Sequence, residues 1–236
     1  RGSGVLRWRR GEGMWWWVEK RGKGDTAQKT RDVKKGDYYE ITGTKNWITN
    51  GSSASIYLVI AQTDPSKGHK GISAFIVEKN SPGFEVGPKE NKLGIRSSDT
   101  HSLQFNAVKV PVENRIGAEG FGFTFAMKTL SGGRIGIAAQ ALGIAAGAYE
   151  LALNYAKQRE AFGKPISQHQ AIAFKLAQMH TKIEAARHLV YKAAWEKDQG
   201  MNYDLSGAMA KLNASEVAME VSVEAVQVLV LGRRDQ

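Results

Sequence analysis

One stretch of this chain is held to a single rhythm. Ile172, Leu176, Met179, Ile183, Ala186, Val190 and Ala193 follow one another at steps of four and three in strict alternation, ending at Asp198-Gln199-Gly200. Such steps keep side chains on one face of a 3.6-residue helix, so a long helix with a single buried stripe is predicted. Before it, Gly120 to Gln158 opens glycine-rich, and Gly132, Gly136, Ala139, Gly143 and Gly147 recur at steps of four, three, four and four. That places small residues on one helix face, where another backbone can approach closely. A third helix is predicted from Leu205 through Met209, Leu212, Met219, Val223 and Val226. Three long amphipathic helices in succession predict an up-and-down helical bundle, here incomplete.

Upstream the period changes to that of strands. Tyr38–Thr42 and Lys45–Thr49 flank Gly43-Thr44, a short hairpin signal, and Ser55–Gln62, Gly71–Glu78, Gly83–Gly87 and Ser102–Val110 follow at hairpin-like intervals. Turn chemistry separates them at Asp64-Pro65-Ser66-Lys67-Gly68, Asn80-Ser81-Pro82-Gly83 and Arg96-Ser97-Ser98-Asp99. Strands without intervening helices imply an antiparallel barrel or sandwich. The expected fold class is therefore α+β, with a β domain over 27–114 followed by a helical bundle domain over 115–236.

Residues 1–26 fit neither period. They hold four of the six tryptophans and seven Lys/Arg against three Asp/Glu, a large share of the net charge of +10. Trp15-Trp16-Trp17 beside Arg9, Arg10, Lys20 and Arg21 admits a stacking surface for single strands or an interfacial anchor. The other reading is an artefactual or disordered extension, since its Trp, Gly, Arg, Glu, Val and Met can all be written with guanine-rich codons. No apolar core follows its charges, so it does not read as a signal peptide, and no targeting segment is visible.

Several chemistries are excluded by residue type. No cysteine is present, which removes disulfides and thiolate ligands. The five histidines form no i, i+4 metal pair, and neither a Walker loop nor a strand–turn–helix G-x-G-x-x-G occurs. The longest apolar run, Ile135–Ala148, stops at fourteen residues with Gln140 inside, short of a membrane span. No run of five like charges supports nucleic-acid binding.

Four stretches together are far more specific than any one: Ile41–Gly51 (ITGTKNWITNG), Lys89–Arg96 (KENKLGIR), Arg134–Gly143 (RIGIAAQALG) and Arg159–Gly163 (REAFG) with Gln170 downstream. In this order and spacing the chain resembles the acyl-CoA dehydrogenases, especially the short-chain, butyryl-CoA branch, over residues 27–229. The resemblance implies a middle β domain and a C-terminal helical bundle that hold FAD and acyl-CoA. It also implies α,β-dehydrogenation, in which a glutamate removes the α-proton and the β-hydrogen leaves as hydride to flavin N5. On the same ground Trp47, Ile48 and Thr49 are expected against the isoalloxazine. Arg159, Phe162 and Gln170 are expected at FAD across a subunit interface, where a guanidinium suits the pyrophosphate, and Gln227 is expected among the FAD contacts. Ser131, Gly132, Gly133 and Arg134 are expected at the CoA part of the substrate, although the branch often has an acidic residue where Ser131 stands. The resemblance further implies electron-transfer flavoprotein as electron acceptor, a homo-oligomer built as a dimer of dimers, and a bacterial cytoplasmic or mitochondrial matrix setting.

Two elements of the family pattern are not matched. The Glu-Pro-Gly-x-Gly-Ser-Asp-like loop has no counterpart before Ala27, and after Leu229 the chain reads Val230-Leu231-Gly232-Arg233-Arg234-Asp235-Gln236 in place of the continuation carrying the catalytic glutamate. Some relatives place the base just before the residue matching Arg134, and Gly133 stands there. Glu184, Glu216, Glu220 and Glu224 read as solvated helix faces. The expectation is an internal fragment with atypical ends and no catalytic residue, inactive or nearly so, since loss of a general base removes about 10²–10⁴ in rate. The alternatives are a non-catalytic FAD- or CoA-binding or dimerisation module, and a basic nucleic-acid binder using the Trp/Arg stretch.

Overall fold

The computed structural model describes residues 30–230. The stretch 1–26 and the last residues, 231–236, lie outside the described residues. The chain divides between Met127 and Lys128 into two compact units.

The first unit is built on a six-stranded sheet: β1 (Arg31–Lys35), β2 (Tyr38–Thr49), β3 (Ile56–Gln62), β4 (Ile72–Glu78), β5 (Phe84–Lys89) and β6 (Thr100–Pro111). Their order across the sheet is β4-β3-β1-β2-β6-β5. All neighbours are antiparallel except β1 and β3, which meet in parallel register at Arg31 and Gln62. Of the expected barrel or sandwich, the described residues form an open, mixed sheet and no closed barrel. Tyr39, Ile41, Phe75, Phe105, Val108 and Val110 fill its core, with Tyr39 and Phe75 in tilted ring contact at 4.9 Å.

Two strand assignments are corrected. The hairpin expected at Gly43-Thr44 does not form, because β2 runs unbroken through both residues. Gly43 instead admits a neighbour: a Cβ there would stand 2.8 Å from the Thr30 Cα, so the glycine allows close backbone approach rather than a reversal. The true reversal is the two-residue turn Gly36-Asp37, with Lys35 opposite Tyr38 and Gly36 at φ 68°, which joins β2 to a strand that the alternation did not reveal.

The second unit is helical: α1 (Gly122–Gln158), which begins in the first unit, then α2 (Gln170–Asp198) and α3 (Asp204–Val230). Between α1 and α2 the chain makes a minute hairpin, β7 (Glu160–Ala161) with β8 (Lys164–Pro165). On α2 the buried residues are the seven of the 4-3 rhythm and no others. On α1 the buried face is Ala138, Ala141, Leu142, Ala145, Ala152 and Ala156. The stripe of small residues there does not carry a close backbone contact among the described residues, since a Cβ at Gly136, Gly143 or Gly147 would meet nothing within 4 Å. By length and composition α1 would suffice to cross a membrane, yet its alanine face belongs to the same core as α2 and α3.

On α3 the expected face is turned outward. Leu205, Met209, Leu212, Met219, Val223 and Val226 are exposed, and Ala210, Ala214, Val217, Val221, Ala225 and Val228 are buried. The helix is apolar on two sides, and the side with alanines allows the closer approach to the side chains of α2.

Candidate functional site

In the first unit the residues expected at the cofactor lie on a defect in β2. Pairing with β6 slips between Lys45 and Ile48, so that Asn46 and Trp47 face a single residue, Ser102. Trp47 sits at the crest of this bulge with φ 62°, in the left-handed region that bulky residues avoid. Its side chain is 38% exposed. Ile48 lies directly opposite His101 and its side chain belongs to the sheet core. Thr49 lies opposite Thr100 and is half-buried. Beside it Lys92 Nζ donates to Thr100 Oγ1 at 2.7 Å and to Ser98 O at 3.0 Å.

The segment after the bulge is fastened to the start of β6. Ser52 N, Ser53 N and Ser53 Oγ all donate to Asp99 Oδ2, at 2.9, 2.9 and 3.0 Å, and Asn50 N donates to Asp99 O. Burial raises the cost of charge on Asp99, but the hydrogen bonds from Ser52, His101 and Ser53 outweigh it and hold its carboxyl below the usual range. Neither Asp99 nor His101 was singled out in the sequence for a role. The only available signal was an Asp and a His two residues apart at a strand start, which is too common to read.

In the second unit the expected residues gather around the β7–β8 hairpin. Arg159 closes α1, and Ile166 N donates to its carbonyl at 2.8 Å. Arg159 Nε is buried and has no hydrogen-bond partner among the described residues. Phe162, at the tip with φ 54°, is 97% exposed and touches the His169 ring edge-on at 6.0 Å. His169, whose Nε2 lies 2.9 Å from Ala161 O, immediately precedes Gln170, the exposed first residue of α2. The hairpin therefore brings Arg159, Phe162 and Gln170 to one end of α2. Gln227 is exposed near the C-terminal end of α3.

Ser131, Gly132, Gly133 and Arg134 occupy one turn of α1, with Gly133 and Arg134 exposed. A Cβ on Gly132 would come within 3.6 Å of Lys197 Nζ, and none would be met at Gly133. Three of the four helix glutamates read as solvated faces meet a cation, Glu184 accepting from Arg187, Glu220 from Lys182 and Glu224 from Lys175, while Glu216 is exposed.

Comparison with known proteins agrees with this arrangement. Residues 120–230 match the acyl-CoA dehydrogenase C-terminal domain and residues 16–108 the acyl-CoA dehydrogenase middle domain, the latter beginning inside the stretch 1–26. A short-chain specific acyl-CoA dehydrogenase of Megasphaera elsdenii is 54% identical over 204 residues, 86% of this chain and 53% of that protein. The mitochondrial short-chain specific enzyme of Rattus norvegicus is 48% identical over 203 residues, 86% of this chain and 49% of its own length. Among solved structures, butyryl-CoA dehydrogenase from Megasphaera elsdenii superposes with TM-score 0.88 at 51% identity, covering 92% of this chain and 57% of that one. A structure from work on the electron transferring flavoprotein of Acidaminococcus fermentans gives TM-score 0.87 at 52% identity, covering 92% and 57%. The chain belongs to the acyl-CoA dehydrogenase family, whose members are FAD-dependent and act in β-oxidation. It spans about half the length of the curated relatives it matches.

Proposed function

We propose that this chain supplies the flavin-facing strand and the interface-borne flavin contacts of an acyl-CoA dehydrogenase acting on short-chain acyl-CoA thioesters. The observation that carries the reading is the pair of aromatic residues set in left-handed backbone and turned outward, Trp47 on its bulge and Phe162 on its hairpin tip. Strain of this kind persists where a ligand or partner uses it. Arg159 supports the same reading, because a buried Nε without a partner is what a guanidinium awaiting an anionic group leaves behind.

In this reading Trp47 offers its ring as one wall for the isoalloxazine and Thr49 a hydroxyl at its edge. Arg159 and Gln170 hold the diphosphate end of FAD on a neighbouring subunit, with Phe162 packed beside them and Gln227 near. Ser131, Gly132, Gly133 and Arg134 meet the CoA portion of the substrate. Bound FAD supplies the two-electron acceptor for the β-hydrogen. Ile48 anchors the segment through its side chain in the sheet core and meets the flavin only through its backbone. The domains are assigned as 27–114 and 115–236, with the assembled protein a dimer of dimers. Its electrons pass to electron-transfer flavoprotein, in bacterial cytoplasm or mitochondrial matrix.

In this reading none of residues 30–230 is the base that removes the α-proton. Gly133 has no side chain, and Glu184, Glu220 and Glu224 each answer a cation on a helix surface. The test is a visible spectrum of the purified chain after incubation with excess FAD and desalting, followed by butyryl-CoA. A retained, perturbed flavin band is expected, with bleaching slower than in a full-length relative by about 10²–10⁴. A colourless protein would sink the flavin reading, and rapid bleaching would sink the assignment of the base.

A further inference from the structure

His101 is a buried histidine that the expected site does not use, and it stands directly across from Ile48 in the bulged segment. Its Nδ1 lies 2.7 Å from Gly87 O on β5, and its Nε2 lies against Asp99 Oδ1. Both partners are acceptors, so the ring spans from the β5 carbonyl on one nitrogen to the Asp99 carboxylate on the other. The same Asp99 gathers Ser52 N, Ser53 N and Ser53 Oγ on its other oxygen. The loop also rests on the ring's stem, since a Cβ on Gly51 would come 2.7 Å from His101 Cβ. Tyr57 closes the far side, its hydroxyl donating to Gly51 O at 2.8 Å.

We propose that His101 and Asp99 are positioning residues: together they pin the loop after the bulge to β5 and β6, and so fix the orientation in which Trp47 and Thr49 are presented to FAD. This rests on the flavin reading of Trp47–Thr49 above. A bulge whose crest is in left-handed backbone relaxes unless its flanks are over-determined. Before the crest the ladder with β6 runs to Lys45–Leu103, and after it the ladder resumes at Ile48–His101, just beyond which Asp99 holds three backbone amides through its carbonyl and carboxylate. Neither residue touches the reacting atoms in this account.

The ring can be split by substitution. An Asn amide overlays Nδ1 and loses the link to Asp99, whereas a Gln amide overlays Nε2 and keeps it. The full chain is compared as parent, His101→Asn and His101→Gln, by amide hydrogen exchange without FAD and by FAD titration. In His101→Asn the amides of Asn50, Ser52, Ser53 and Ala54 are expected to exchange about tenfold faster, with those of β3 and β4 unchanged, and FAD affinity to fall by a similar factor. His101→Gln should restore both. Unchanged exchange in His101→Asn overturns the clamp. Faster exchange with parental FAD affinity overturns the positioning role. Exchange as expected in a parent that takes up no FAD places the failure in the flavin reading and overturns the positioning role with it. Should His101→Asn fail to fold, Ser53→Ala, which removes one hydroxyl from the same carboxylate, carries the same two readouts.

Discussion

Phe162 and Trp47 share an uncommon combination, a large apolar ring on left-handed backbone with much of its surface in water. A non-glycine residue held there costs on the order of 1–3 kcal/mol, which the fold recovers nowhere in the core when the ring is 97% exposed. Phe162→Ala is therefore expected to leave thermal stability within about 0.5 kcal/mol of the parent while lowering FAD uptake by the assembled protein. A calorimetric midpoint and a desalted flavin spectrum read the two effects separately. Asp64 makes a different prediction. Its hydrogen bonds from Lys67 and Ser66 lower its pKa to about 2. A depressed carboxyl stabilises the fold above its unfolded pKa and loses that contribution as pH falls through the folded one. The difference in denaturant midpoint between parent and Asp64→Asn should thus be full at about pH 5, small by about pH 2 and gone by about pH 1. A difference that persists at the acid end would contradict the assignment.

For whole elements the helices differ in how plainly they declare a face. Residues between the stripe positions of α2 are mostly polar, among them Lys175, Gln178, Lys182, Glu184 and Lys192, so burying the other side would strand charges. Ile183→Ala is expected to cost about 2–5 kcal/mol by denaturant titration. On α3 the fully buried Ala210 leaves no room, and Ala210→Leu should destabilise by about 1–3 kcal/mol. Val226→Lys on the exposed face should move stability by no more than about 0.5 kcal/mol, although Val226 is the more apolar residue. The opposite ranking would mean that α3 is rotated from the arrangement described.

For the molecule as a whole the outward rows of α1 and α3 matter most. Ile137, Ile144 and Leu151 line one, and Met209, Leu212, Met219, Val223 and Val226 the other. Contiguous apolar surface of this kind marks an association site or an aggregation hazard. The purified chain is expected to scatter light as more than a monomer, and Met219→Glu with Val223→Glu to lower its apparent mass without loss of helical circular dichroism. A parent that runs as a clean monomer would refute this.

What could be read in advance follows from whether one face or one neighbour decides the outcome. The α2 stripe was legible to the residue because only one face of that helix can be buried. The order of β segment and helical segment was legible because periods of 2 and 3.6 are local properties of the chain. The four motifs mark Trp47, Thr49, Arg159 and Gln170 as positions of one family's pattern from the chain alone. The face of α3 was not legible, because two apolar sides compete and the closeness of α2 chooses the one made of alanines. Gly43 read as a turn, since nothing local announces that Thr30 lies against it. The Asp99–His101 clamp was invisible for the same reason: its meaning lies in Gly87, Ser52 and Ser53, brought there by strand register rather than by spacing. The amino-acid sequence by itself determines the periods, the turn chemistry and the motif residues, which depend on neighbours along the chain. Which apolar face is buried, where a strand bulges and what holds the bulge depend on neighbours across space, and only the tertiary structure decides them.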